Sequence, residues 1–165
     1  MTLDRRTFIG LAGAAAFGGA LLYPRTGGAA ATMRFRVNHT PAEWRRLLGS
    51  QRYSVLREAV TERAFTSPLL NEHRRGAFVC AGCANALFNS ATKFESGTGW
   101  PSFWKALPAA VVTRSDHSLM MERTEVLCAR CGGHLGHVFD DGPKPTGLRY
   151  CMNGLALQFR AGATA

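Results

Sequence analysis

Ala77-Phe78-Val79-Cys80-Ala81-Gly82-Cys83 and Arg123-Thr124-Glu125-Val126-Leu127-Cys128-Ala129-Arg130-Cys131 carry the reading of the fold. Each is a short strand-like run that enters a C-x-x-C turn. An apolar run leaves each turn, Ala86-Leu87-Phe88 after the first and Leu135 to Phe139 after the second. Run, turn and run make a hairpin. The sequence therefore predicts two hairpins, each with a cysteine pair at its tip, 44 residues apart. Four thiolates in two close pairs suit one tetrahedral zinc ion held by Cys80, Cys83, Cys128 and Cys131.

Rival readings of the four cysteines exist. A redox C-x-x-C usually opens a helix in a βαβ unit, and no βαβ rhythm is present. Two structural disulfides are possible, although such short loops gain little closure entropy. Iron could replace zinc, because ligand softness alone does not separate them.

Outward from the hairpins, Ala110-Val111-Val112-Thr113 reads as a further strand, and Leu148 to Phe159 as the longest one. Ser96 to Pro101 and Asp140 to Pro145 are Gly- and Pro-rich links. Upstream, Thr40-Pro41-Ala42-Glu43 is a helix start with Thr as cap, Pro at the first position and Glu reaching back. That helix should stop at Gly49, and Ser50 to Glu58 reads as a second one. Thr66 to Leu70 reads as a turn. The fold class expected is mainly β: two antiparallel sheets in a barrel-like core, short N-terminal helices and a structural zinc site.

Residues 1–31 read as an address. Arg5-Arg6 precede an uncharged stretch from Phe8 to Tyr23, and Ala29-Ala30-Ala31 offers a cleavage site. This is the layout of a twin-arginine export signal. An uncleaved anchor is the alternative, although the stretch is short for a membrane span. The expected organisation is then signal 1–31, linker 32–39, domain 40–160 and tail 161–165. The implied location is the periplasm or the outer face of the cytoplasmic membrane, with the export machinery as a partner. A route for folded proteins would let zinc load before the thiols meet an oxidising compartment.

The 165 residues carry a formal charge of +9. The basic residues are scattered singly and in pairs, with no long run and no nucleic-acid motif, so no nucleic-acid partner is expected. A hydrophobic content of 46% argues against disorder. A monomer is the default.

The fifth cysteine, Cys151, has no pair. A lone cysteine in a strand is commonly a small buried hydrophobe. Here Arg149 and Asn153 fall two residues to either side, hence on its face of a strand. A guanidinium there would favour the thiolate. His134 and His137 offer imidazoles on a neighbouring strand, although a spacing of three faces them apart unless a bulge intervenes. Trp100 presents an aromatic on the constrained Gly99-to-Phe103 turn. Each has a plain alternative: Arg149 on a solvated face, His134 as a turn cap, His137 as a satisfied core histidine. Together they suggest a site.

The motifs Thr61-Glu62-Arg63-Ala64-Phe65, the two C-x-x-C pairs, Gly97-x-Gly99-Trp100-Pro101-Ser102-Phe103, Gly133-His134-Leu135-Gly136-His137-Val138-Phe139, Asp141-Gly142-Pro143 and Gly147-Leu148-Arg149-Tyr150-Cys151-x-Asn153 resemble the B-type methionine-R-sulfoxide reductases across nearly all of residues 40–160. The resemblance implies two antiparallel sheets and a structural zinc. It implies that Cys151 attacks the sulfoxide sulfur and that Trp100 packs on the substrate methyl. His134 and His137 would orient the oxygen and help protonate it. Arg149 would stabilise the thiolate, and Asn153 would complete the polar surroundings. The substrates implied are proteins bearing methionine R-sulfoxide.

One position departs from many members: Thr98 stands where a resolving cysteine can occur. An external thiol, whether small, thioredoxin-like or glutaredoxin-like, is then the expected partner. Two other classes remain open from sequence, a zinc-ribbon binding module and an oxidation sensor built on Cys151.

Overall fold

The two hairpins form as the sequence suggests, and both sheets grow from them. The computed structural model describes residues 33–118 and 121–162. The expected export signal lies outside these residues. Among them, no helix is long and apolar enough to cross a membrane.

The helical segment α1 (Pro41–Glu58) begins as its sequence dictates. The Thr40 hydroxyl accepts from the Glu43 N–H, and the Thr40 N–H donates to the Glu43 carboxylate at 2.8 Å. This reciprocal cap satisfies two otherwise orphaned donors. Gly49 has φ 70°, ψ 171°, which breaks the helical path and leaves the two expected helices joined at a kink. Trp44, Val55 and Leu56 turn inward and are almost fully buried.

Among the described residues nine strands follow: β1 (Gly76–Cys80), β2 (Ala86–Asn89), β3 (Lys93–Phe94), β4 (Ser102–Phe103), β5 (Val111–Asp116), β6 (Arg123–Cys128), β7 (His134–Phe139), β8 (Arg149–Met152) and β9 (Leu157–Ala161). They form an antiparallel sheet in the order β2-β1-β9 and another in the order β3-β4-β8-β7-β6-β5. The fold is mainly β, as expected. Both sheets stay open, so the barrel-like character is confined to the shared core. Phe88 stacks on Phe103 with ring centroids 4.3 Å apart, and Phe78 meets Phe103 edge-on at 4.9 Å. These rings, with Leu87, Leu135 and Met152, have essentially no exposure. Burying each such side chain is worth about 1.5–3 kcal/mol.

The expected single strand from Leu148 to Phe159 is corrected. It is two strands in different sheets, β8 and β9, joined by a 3-10 turn at Gly154–Ala156. The break has a physical cause. The Glu62 carboxylate accepts from the Gly154 N–H at 2.5 Å and the Leu155 N–H at 3.2 Å, taking donors that a continuous ladder would use. The link around Ser96 also hides structure, since β3 and β4 are two-residue strands flanking it.

The stretch before α1 is attached to the second cysteine turn. The Val37 N–H donates to the Arg130 carbonyl at 2.9 Å, and the Phe35 ring lies against Gly132.

Candidate metal centre and thiol site

The two cysteine turns meet. Cys80 and Cys83 lie on the β1–β2 hairpin, Cys128 and Cys131 on the β6–β7 hairpin, and all four sulfurs fall within 4.8 Å of one another. The shortest approaches cross between the turns: Cys80 to Cys131 at 3.7 Å and Cys83 to Cys128 at 3.6 Å. A regular tetrahedron of thiolates about 2.3 Å from one ion puts its sulfurs about 3.8 Å apart. The donor set fits zinc in number, softness and spacing. It does not fit two disulfides within the pairs, because each sulfur's near neighbour belongs to the other turn. The Gly82 N–H points at the Cys80 sulfur at 3.4 Å, the kind of contact that helps hold a thiolate. Such a centre would tie together chain segments 45 to 51 residues apart.

The fifth cysteine sits elsewhere, half-buried on β8. A cleft of about 110 Å³ opens over it, lined by Thr61, Trp100, Arg123, Gly136, His137, Phe139, Cys151 and Asn153. A cleft of about 480 Å³ runs past Arg52, Glu72 and Phe159, but no thiol or imidazole lines it. Chemistry therefore favours the smaller one.

Strand pairing explains why these groups converge. On β7, His137 is the cross-strand partner of Cys151. The β6–β7 register slips between Val126, opposite Gly136, and Leu127, opposite His134. Leu135 is the extra residue of this bulge, so two histidines three apart reach one face. Their rings stand 5.5 Å apart at 65°. Gly136 is required there: a Cβ would lie 2.1 Å from the Cys151 carbonyl oxygen.

The histidines differ in setting. His134 is 4% exposed, and its Nδ1 lies 2.6 Å from the equally buried Glu125 carboxylate. His134 Nε2 has no partner among the described residues. His137 lines the cleft, with Nε2 2.8 Å from Asp116 Oδ2. That oxygen also accepts from Arg123 Nη2 at 2.7 Å. Burial pushes His137 below the usual 6.5; Asp116 opposes the shift, while Arg123 adds to it. The Ser118 N–H and hydroxyl, then His137, hold Asp116 well below its usual 3.8. An ionised Asp116 takes the Nε2–H of a neutral His137, which fixes the tautomer.

Arg149 reaches Asp141 in a two-pronged ion pair at 2.8 and 2.9 Å, and its guanidinium lies 4.3 Å from the Phe139 ring centre. Asp141 raises its pKa first, and Cys151 acts in the same direction. The Asn153 amide is committed to backbone: Oδ1 accepts from the Glu62 N–H at 2.8 Å and Nδ2 donates to the Leu135 carbonyl at 3.2 Å. Trp100 Nε1 donates to the Glu62 carbonyl at 2.9 Å. Thr98 Oγ1 lies 3.7 Å from the Cys151 sulfur, within a hydroxyl chain through Ser96 to Ser102.

Asp116, Arg123, Glu125 and the bracing role of Glu62 were not picked out in the sequence. Glu125 was the available signal, a carboxylate at a buried position of an otherwise strand-like run. Burial would raise it, but hydrogen bonds from His134 and Arg114 bring it below 4.5. Asp141 is lowered by Arg149.

Acid sensitivity follows from these signs. His137, Glu125, Asp116 and Asp141 all have native values below their ordinary 6.5, 4.5, 3.8 and 3.8. Their contribution is complete above those values and is lost as pH falls through them, because unfolded chains bind more protons. Melting of the metal-saturated protein should fall as pH drops from about 7 to about 2, first through His137, then through Glu125 and, below about pH 4, through the two aspartates. A constant or rising midpoint would contradict it.

A model of the SelR domain matches residues 48–161. Among similar proteins, the peptide methionine sulfoxide reductase MsrB of Leptospira interrogans is 50% identical over 129 residues, 78% of this chain and 98% of its own. The protein of that name from Thiobacillus denitrificans is 55% identical over 121 residues, 73% of this chain and 92% of its own. Its namesake from Bradyrhizobium diazoefficiens is 55% identical over 124 residues, covering 74% and 89%.

Proposed function

The chain belongs to the SelR-domain family, and from that premise we propose that it is an oxidoreductase that reduces methionine R-sulfoxide in proteins through Cys151. The observation that carries this is the cleft itself. It brings one cysteine, free of the four-sulfur cluster, beside His137 and an aromatic wall at Trp100.

The Cys151 thiolate attacks the sulfoxide sulfur. Sulfoxide oxygen leaves poorly until protonated, so an acid must stand beside the nucleophile. His137, cross-strand from Cys151, and His134 behind it orient the oxygen and help protonate it; His137 acts as an acid only in its protonated form, whose charge the ionised Asp116 offsets. Trp100, held by its Nε1–H, packs on the methyl group. Arg149 keeps a positive charge near the sulfur, and Asn153 fixes the end of β8 and the edge of the cleft. The sulfoxide gains two electrons and leaves as methionine. Cys151 loses two and keeps the oxygen as sulfenic acid. Two equivalents of external thiol then return it to thiol, releasing water and a disulfide. Thr98 supports external resolution, because it places a hydroxyl, not a thiol, 3.7 Å from the Cys151 sulfur. The zinc would hold the hairpins together without taking part. The Arg5-Arg6 signal supports repair of exported proteins.

One experiment covers the reading. The protein is recovered from the periplasm, its first residue read, and each sulfoxide epimer supplied with dithiol. A start near Thr32 and repeated turnover of the R epimer alone are expected. After a single turnover without reductant, the mass should show one added oxygen and no internal disulfide; Thr98→Cys should acquire that disulfide. Consumption of both epimers, or an internal disulfide at Cys151 in the unaltered protein, would refute the corresponding part.

A further inference from the structure

The Cys151 cleft is small. At about 110 Å³ it is well below the roughly 300–1,000 Å³ of pockets that enclose whole ligands. It can take the tip of one side chain, so the polypeptide bearing that side chain must rest outside it. Thr61 shows where. It lines the cleft and also an adjoining open groove of about 630 Å³. Val60, Arg63, Thr66 and Pro68 line that groove on one side, and Gln51 and Ser54 of α1 on the other.

Two apolar side chains beside Thr61 face solvent: Val60 is 50% exposed and Phe65 70%. Phe65 also has φ 64°, an uncommon conformation for a bulky residue. It is held there by its N–H, which donates to the Gly99 carbonyl at 2.8 Å. Its ring lies against Gly99, where a Cβ would come within 2.9 Å of Phe65 Cδ2. Gly99 joins Thr98, on the Cys151 sulfur, to Trp100, on the cleft wall. A large apolar ring thus stands exposed, in an uncommon backbone conformation, against the glycine that joins Thr98 to Trp100. Backbone strain kept beside a reactive group calls for a function.

The exposed charge in the groove is a single cation. Arg63 is exposed in the groove. The one carboxylate lining the groove, Glu62, is buried and already accepts from the Gly154 and Leu155 N–H groups. An exposed guanidinium in the groove, with the exposed Val60 and Phe65 side chains close to it in the chain, complements an extended segment that carries both a carboxylate and an apolar side chain.

We infer that residues 60–66 form the docking surface for the polypeptide flanking the oxidised methionine. The partner is an extended segment with an acidic residue set against Arg63 and an apolar residue against Phe65. This rests on the reductase reading and adds to it which sulfoxide-bearing segments are preferred.

The test compares short peptides containing methionine R-sulfoxide, flanked by Glu or by Lys, with N-acetylmethionine R-sulfoxide. Turnover is measured for the unaltered protein, Arg63→Glu and Phe65→Ala. Binding of the same peptides to Cys151→Ser protein, alone and with each substitution, is read by fluorescence anisotropy. Expected are a rise in KM for the Glu peptide of about tenfold in each variant, kcat/KM for the small sulfoxide within twofold, and a reversed Glu-over-Lys preference in Arg63→Glu. Equal losses on peptide and small sulfoxide, or no loss on either, would overturn the docking surface. Absent turnover with peptide binding weakened by both substitutions would count against the reductase reading and for the surface. Absent turnover and absent binding would remove both.

Discussion

Cys151→Ser should lose methionine sulfoxide reduction by at least about 10³-fold while keeping its fold and its metal. The size of the loss follows from the chemistry. A serine hydroxyl is a far weaker nucleophile than a thiolate toward sulfur, and removing the covalent nucleophile deletes the pathway. Retention of fold follows from geometry. Cys151 is half-buried, its sulfur meets Thr98 Oγ1 at 3.7 Å, and it belongs to neither cysteine pair. Serine keeps the shape and the strand hydrogen bonds of β8. The check is a turnover assay with elemental analysis and a thermal melt on the same sample. Activity near that of the unaltered protein would overturn the assignment of the nucleophile. Lost activity with lost zinc would show instead that position 151 supports the fold.

Stripping the metal should be the most damaging change to stability. The four cysteines join the β1–β2 hairpin to the β6–β7 hairpin, one from each sheet. Structural zinc bound by small peptides is worth about 10–16 kcal/mol, against a total stability of about 5–15 kcal/mol for a domain. The cluster also lies at the core, where Cys80, Cys128 and Cys131 are buried beside Leu56 and Trp44. Hydrogen bonding among the sulfurs pushes Cys80 and Cys131 up and holds Cys128 down, so a metal-free cluster keeps protons that a cation would displace. Chelation, or Cys128→Ser, should lower the melting midpoint by about 15 °C or more. Activity should fall with it and return when zinc is restored after chelation. Metal-free protein, proven so by elemental analysis, that melts at the same temperature would sink the idea.

What could be read in the chain tracks the range over which residues act. The Thr40 cap, the Gly49 break and the cysteine turns involve neighbours a few residues apart, and all appear where spacing put them. The cysteine cluster spans both sheets, yet matched pairs announce themselves. The break after Asn153 is different. Its cause, Glu62, lies 91 to 93 residues away, so Leu148 to Phe159 reads as one strand until that carboxylate is brought to Gly154. The histidines teach the same lesson. Period-two alternation faces His134 and His137 apart, and only the bulge at Leu135 reunites them. Asp116 was hidden because a carboxylate at the end of an exposed strand looks like ordinary surface. Its partners, His137 and Arg123, come to it only through the β5–β6–β7 ladder.

Glu62 touches both banks of the Cys151 cleft at once. Its carbonyl steadies Trp100, its N–H steadies Asn153, and its carboxylate anchors the backbone just beyond. The gap between aromatic wall and sulfur is thus spanned by a single rigid strut. Because one residue holds both walls, neither can shift without breaking a bond to it.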